Sequence, residues 1–192
     1  MRIGKFAAMA IALAGVVYSQ SAPPPRPADQ ATARKYFTDT VLVDQDGANH
    51  RFYSDLLEGK VVVIDVMFTT CKDSCPRMAA NFAGIARWLG PRLGKDVRML
   101  SISIDPETDT PPLLKSYAER FDAPQGWYFL GGKKEDVNTV LKKLGLYVPD
   151  KQDHVNIFLI GNNRTGLWKK AFGMADSKDL ISVLDSVIRD GK

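Results

Sequence analysis

Two nearly continuous apolar runs, VVVIDVMF at 61–68 and VRMLSISI at 97–104, constrain the fold of this chain more than anything else in it. A strand with one wet face alternates apolar and polar residues. A run without alternation belongs to a strand covered on both sides, as in a parallel sheet. The interval between the runs holds one helix, because Met78, Phe82, Ile85 and Leu89 recur at helical spacing and share a face. The pattern predicts that this helix begins near Cys75, with Pro76 in its first turn, and ends at Gly90-Pro91. Strand, helix and strand then form a βαβ crossover.

The same periodicities continue through the chain. Helices are expected over 111–121, with Leu114, Tyr117 and Phe121 inward, and over 134–144, with Val137, Val140, Leu141 and Leu144 as the stripe. VNIFLIG at 155–161 reads as a strand, NNRTG as a turn and LWKKAF as the strand that follows. A last helix over 177–189 buries Leu180, Leu184, Val187 and Ile188. Ahead of all this, TDTVLVDQDGANHRFYSDL carries an Asp46-Gly47 turn between short segments, the pattern of a β-hairpin. The order βαβα followed by βαββα predicts an α/β fold: a central mixed sheet flanked by helices, with an N-terminal β-hairpin. A thioredoxin-like domain has this outline, as do several other α/β folds.

The first residues follow different rules. Arg2 and Lys5 precede an apolar run from Phe6 to Val17, and small residues around Ser19 and Ser21 suit a signal peptidase. Residues 1–21 are therefore read as a signal peptide or membrane anchor, the run being short of the ~20 apolar residues that span a bilayer. No cysteine stands near that boundary to take a bacterial lipid anchor. Residues 22–37, opening on APPPRPAD, are read as a Pro-rich tether, and 38–192 as the folded domain. Such a chain is exported, to the periplasm or the outer face of the cytoplasmic membrane. Its formal charge of +4 falls by two without Arg2 and Lys5, and no basic run is interleaved with aromatics, which speaks against nucleic-acid binding.

The chemistry concentrates in FTTCKDSCPRM, the loop between the first buried strand and its helix. It holds both cysteines of the chain, Cys71 and Cys75. The helix N-terminus, Lys72 and Arg77 favour thiolate there, with Asp73 opposing. Three uses remain open on the residues alone. A structural disulfide closing so short a loop contributes only about 2 kcal/mol in the chain-entropy model, which a chain with 45 % hydrophobic residues hardly needs. A metal-free thiol–disulfide switch is a second use, although its familiar spacing has two intervening residues rather than three. A peroxidase using one reactive thiol is a weaker variant of it.

Metal binding is the third use and needs further ligands. His50, beside the hairpin turn, reads as a structural histidine. His154 directly precedes a strand that the outline can bring beside the cysteine loop, with Asp153 placed to orient its ring. Two thiolates and an imidazole form a soft set suited to Cu(I) that also accepts Cu(II), while zinc finds no fourth protein ligand. Met67 and Met78 flank the loop but fall in strand and helix stripe, as core residues do.

Four segments in register resemble the Sco/SenC family of copper-binding thioredoxin-like proteins. FTTCKDSCP is similar to that family's strand-end CxxxCP loop, including Asp73. SISIDPETDTP, with Asp105, Pro106, Asp109 and Thr110, is similar to its second-strand signature. WYFLGG and DHVNIFLIG are similar to the segments that follow, and with the DQDG hairpin the resemblance spans residues 38–175. It implies that Cys71, Cys75 and His154 bind copper. It also implies a metallochaperone role in assembling the binuclear copper centre of cytochrome c oxidase subunit II, by donating copper, by reducing the target's cysteines, or by both. Asp105 is then expected near the site, its other reading being a turn residue before Pro106. Val155 and Lys72 depart from the family's usual serine and proline. The principal alternative is a metal-independent thiol–disulfide oxidoreductase of the exported compartment, working with a thiol reductant.

Overall fold

A computed structural model of the chain describes residues 29–191; the expected signal segment and the proline-rich start of the tether lie outside them. The tether reading of 22–37 is corrected over its last eight residues, which form helix α1 (Gln30–Phe37). The Asp29 carboxylate accepts the Ala31 N–H at its start, a standard N-cap bond. Phe37 at its other end packs on Trp168 and Tyr53, with ring centroids 5.1 and 6.3 Å away. A short helix of low apolar content is held by these anchors rather than by its own propensity.

The expected hairpin follows as β1 (Val41–Val43) and β2 (Asn49–Arg51), paired antiparallel. The Asp44 carboxylate accepts the N–H groups of Asp46 and Ala48 and so closes the turn. The chain then coils into one π-helical segment, Phe52–Leu57, burying Phe52, Tyr53, Leu56 and Leu57.

Five strands make the main sheet: β3 (Val61–Met67), β4 (Val97–Ser103), β5 (Trp127–Leu130), β6 (Ile157–Asn162) and β7 (Leu167–Phe172). Their spatial order is β5-β4-β3-β6-β7, with β3, β4 and β5 parallel and β6 and β7 antiparallel to their neighbours. Every residue of β3 is buried. Alternate side chains serve two cores. Val61, Val63 and Met67 pack with α2 (Ser74–Leu89), α3 (Pro111–Glu119) and α5 (Ser177–Ile188). Val62, Ile64 and Val66 pack with Leu42, the π-helical segment and α4 (Lys134–Leu144). Helices thus cover both faces, which is why β3 needs no polar alternation.

The mixed sheet, flanking helices and N-terminal hairpin agree with the expected fold class. Phe121 lies just beyond α3 and is only partly buried, while the inward residues expected on α2, α4 and α5 are all in the core. No helix among the described residues is long and apolar enough to cross a membrane. The consequence for the site is topological. Strand β3 lies between β4 and β6, so the loop after β3 borders both the loop after β4 and the loop before the antiparallel β6.

Candidate metal centre

Strand β3 delivers the cysteine loop, and a buried carboxylate fixes it. Asp109, 1 % exposed, accepts the Thr69 N–H at 3.2 and 3.1 Å, the Thr69 hydroxyl, and the Ser103 hydroxyl at 2.6 Å. One side chain thereby ties the loop after β3 to the end of β4. The Cys71 N–H turns back to the Phe68 carbonyl at 3.1 Å. Helix α2 then starts at Ser74, with Asp73 at the N-cap making no side-chain cap bond. Cys75 is in its first turn, and its two-residue neighbour Asp73 is solvent-exposed.

Both thiols are buried, Cys71 at 8 % and Cys75 at 2 % exposure, and both are free. Burial pushes the Cys75 thiol well above its usual pKa, and its hydrogen bond with the Cys71 thiol adds to this. A main-chain hydrogen bond at Phe68 pulls the other way but does not prevail. The expectation that helix terminus, Lys72 and Arg77 lower the thiol is therefore corrected for Cys75: desolvation outweighs those partial charges. In metal-free protein Cys75 is held as the neutral thiol.

The third donor comes from the far side of the chain. A 3₁₀ turn, Lys151–Asp153, is closed by the Asp150 carboxylate accepting the Gln152 N–H, and His154 follows it. The His154 Nδ1 lies 2.9 Å from the Lys151 carbonyl oxygen. A carbonyl only accepts, so Nδ1 carries the proton and Nε2 presents its lone pair. That Nε2 lies 3.7 Å from the Cys75 Sγ and 3.2 Å from the Ser74 Oγ. Phe68 meets the ring edge-on at a centroid distance of 5.6 Å. Asp153 does not orient the imidazole; a main-chain oxygen does, because the tight turn points the Lys151 carbonyl at Nδ1.

Asp105, at the end of β4, is near this loop but not near the sulfurs through any hydrogen bond. It accepts the Lys151 ammonium at 2.6 Å, and that hydrogen bond raises the Lys151 pKa. The Lys151 Nζ also stands 5.2 Å from the centre of the Phe68 ring. His50 is remote from the cluster: its Nε2 is 2.7 Å from Asp44 Oδ2, where it supports the hairpin turn. Met67 and Met78 are core residues.

The structure thus brings together Cys71, Cys75 and His154, with their Sγ, Sγ and Nε2 atoms all within 4.8 Å of one another. Three points so spaced leave a position no more than about 2.8 Å from each. That is close to the ~2.3 Å and ~2.0 Å that thiolate and imidazole ligands take around zinc. A small inward shift completes a three-donor site for one ion. Sequence reasoning missed Ser74, Phe68 and Lys151. No residue type or spacing in the sequence signals the role of the Lys151 carbonyl.

A sequence model of the SCO1/SenC family matches residues 28–188. The SCO1 protein homolog of Bacillus subtilis is 34 % identical over 127 residues, which cover 62 % of this chain and 64 % of that protein. The chain therefore spans less than two thirds of that relative's length. BsSco, a member of the Sco family of cytochrome c oxidase assembly proteins in which a disulfide switch was identified, aligns with a TM-score of 0.64. It is 29 % identical, over 79 % of this chain and 92 % of that one. The copper-bound structure of Bradyrhizobium japonicum ScoI aligns with a TM-score of 0.64 at 23 % identity, over 86 % and 99 % of the two chains, a likeness of fold. The matched region runs from α1 to the end of α5 and contains all three converging donors, so the chain belongs to the SCO1/SenC family.

Proposed function

We propose that this protein holds one copper ion between the Cys71 and Cys75 thiolates and the His154 imidazole. In this reading it serves assembly of the binuclear copper site of cytochrome c oxidase subunit II, delivering copper, reducing the target's disulfide to thiols as Cys71 and Cys75 oxidise to their own disulfide, or both. The observation that carries the reading is the convergence of two Sγ atoms and one Nε2 within 4.8 Å. Thiolate pairs satisfy Cu(I), and an added imidazole nitrogen accommodates Cu(II). Membership of the SCO1/SenC family and the likeness to BsSco, of the cytochrome c oxidase assembly proteins, support it, and the same fold is known with copper bound. Work outside the cytoplasmic membrane, in the periplasm or anchored there, agrees with the apolar segment at Phe6–Val17.

The chain's own groups do the following. Cys71 and Cys75 give up their protons as the ion enters, so binding releases protons. The Lys151 carbonyl keeps the His154 proton on Nδ1 and leaves Nε2 for the ion. Asp109 holds the cysteine loop in place during exchange.

Anaerobic titration of the reduced protein with Cu(I) tests the proposal, with one ion per chain as the expected result. Cys71→Ser and Cys75→Ser each remove most of the binding, and His154→Ala weakens it, more for Cu(II) than for Cu(I). Stoichiometric copper retained by the double cysteine variant defeats the reading.

A further inference from the structure

The histidine loop is tied to the rest of the molecule at very few points. Among the described residues, the stretch 148–155 makes hydrogen bonds to other elements only through His154, to Ser74 and Cys75, and through the Lys151 ammonium, to Asp105. Its other hydrogen bonds are internal, within the Asp150–His154 turn or from Val155 to the Ile157 N–H. When the imidazole leaves the sulfurs, the Lys151–Asp105 pair is the remaining polar tie. Lys151 also acts twice on the same ring. Its carbonyl sets the tautomer, and its ammonium stands over the ring of Phe68, the residue that meets the imidazole edge-on.

We propose that Lys151 is a positioning residue whose ion pair with Asp105 latches the loop, keeping His154 over the two sulfurs and so favouring a three-donor copper site over a two-thiolate one. This rests on the copper reading above. The two oxidation states need the ring unequally: two thiolates suffice for Cu(I), whereas Cu(II) draws on the imidazole nitrogen. A latch on the ring therefore selects between the states. The pair is partly exposed, 36 % at Lys151 and 15 % at Asp105, so the latch is one that a partner's charges or salt can open.

Lys151→Met tests this, because it keeps an unbranched apolar side chain of similar length and removes the charge. Lys151→Arg restores a donor, and Asp105→Asn removes the acceptor's charge from the other side. In the metal-free protein, NMR cross-relaxation between the His154 ring protons and the Phe68 ring is expected in wild type and in Lys151→Arg, and is lost in Lys151→Met and Asp105→Asn. In copper titrations, Lys151→Met and Asp105→Asn are expected to lose Cu(II) affinity on the order of tenfold, as supporting groups around metal ligands commonly do. Cu(I) affinity falls by a smaller factor, and Lys151→Arg recovers Cu(II) binding. Unchanged cross-relaxation in both charge-removing variants overturns the latch. So does an equal loss for both oxidation states, which marks a general structural defect. If the wild-type protein binds no copper, the proposed function fails, while the cross-relaxation in the metal-free chain still decides the latch.

Discussion

Asp65 places a carboxyl in the middle of β3, on the sheet face that packs against α2 and α3, opposite Ser101 in the β4 register. One of its oxygens, Oδ1, has no hydrogen-bond partner, and neither has the buried Tyr117 hydroxyl. Burial pushes the Asp65 pKa from 3.8 up to about 7, with a hydrogen bond from Ser101 pulling against it. The native state therefore holds a proton between about pH 4 and 7 that the unfolded chain has lost. Stability from this residue is greatest below pH 4, declines as the pH rises through that window, and levels off above it. A shift of this size corresponds to about 4 kcal/mol as an upper bound. Asp65→Asn should remove the decline. Denaturant unfolding of metal-free protein from pH 4.5 to 8 measures it as the difference between the two proteins, and parallel curves exclude the effect.

At the scale of elements, β7 is seated by a glycine. Gly161 of β6 faces Trp168 of β7, and a Cβ at that glycine would come within 2.5 Å of the indole ring atoms. The indole has little room to retreat, because Phe37 of α1 packs against it. Gly161→Ala should cost roughly 1–3 kcal/mol through overpacking, read as a lower urea midpoint with an unchanged slope. A variant as stable as wild type would show that the edge strand and α1 move freely. The elements differ in how far periodicity reveals them. The buried runs and the stripes of α2, α4 and α5 were legible because burial repeats there at the period of the backbone. Helix α1 was not, since its eight residues bring only Ala33 and Phe37 to the core. The π-helical segment matches neither the strand nor the α-helical period. In the site, the cysteine pair was plain from spacing, and His154 came from resemblance. The substitution of a Lys151 carbonyl for the Asp153 carboxylate was invisible, since main-chain direction is not written in residue types.

For the molecule as a whole, a ligand that binds only the native state adds stability by mass action. About 4 kcal/mol accrues when free ligand exceeds the dissociation constant a thousandfold. Reduced, anaerobic protein should therefore melt at a higher temperature with Cu(I) present, and a chelator should reverse the gain. The cysteine variants should show no rise. A melting temperature indifferent to Cu(I) in the wild type would mean that the three donors do not act together. One aspect of the geometry carries further. Cys75 and His154 are 79 positions apart in the chain. An ion shared between them rivets the amino-terminal half of the sheet to the carboxy-terminal hairpin and α5, closing a loop far longer than the cysteines close alone. Without an ion that rivet is missing, so the metal-free form is the more pliable of the two.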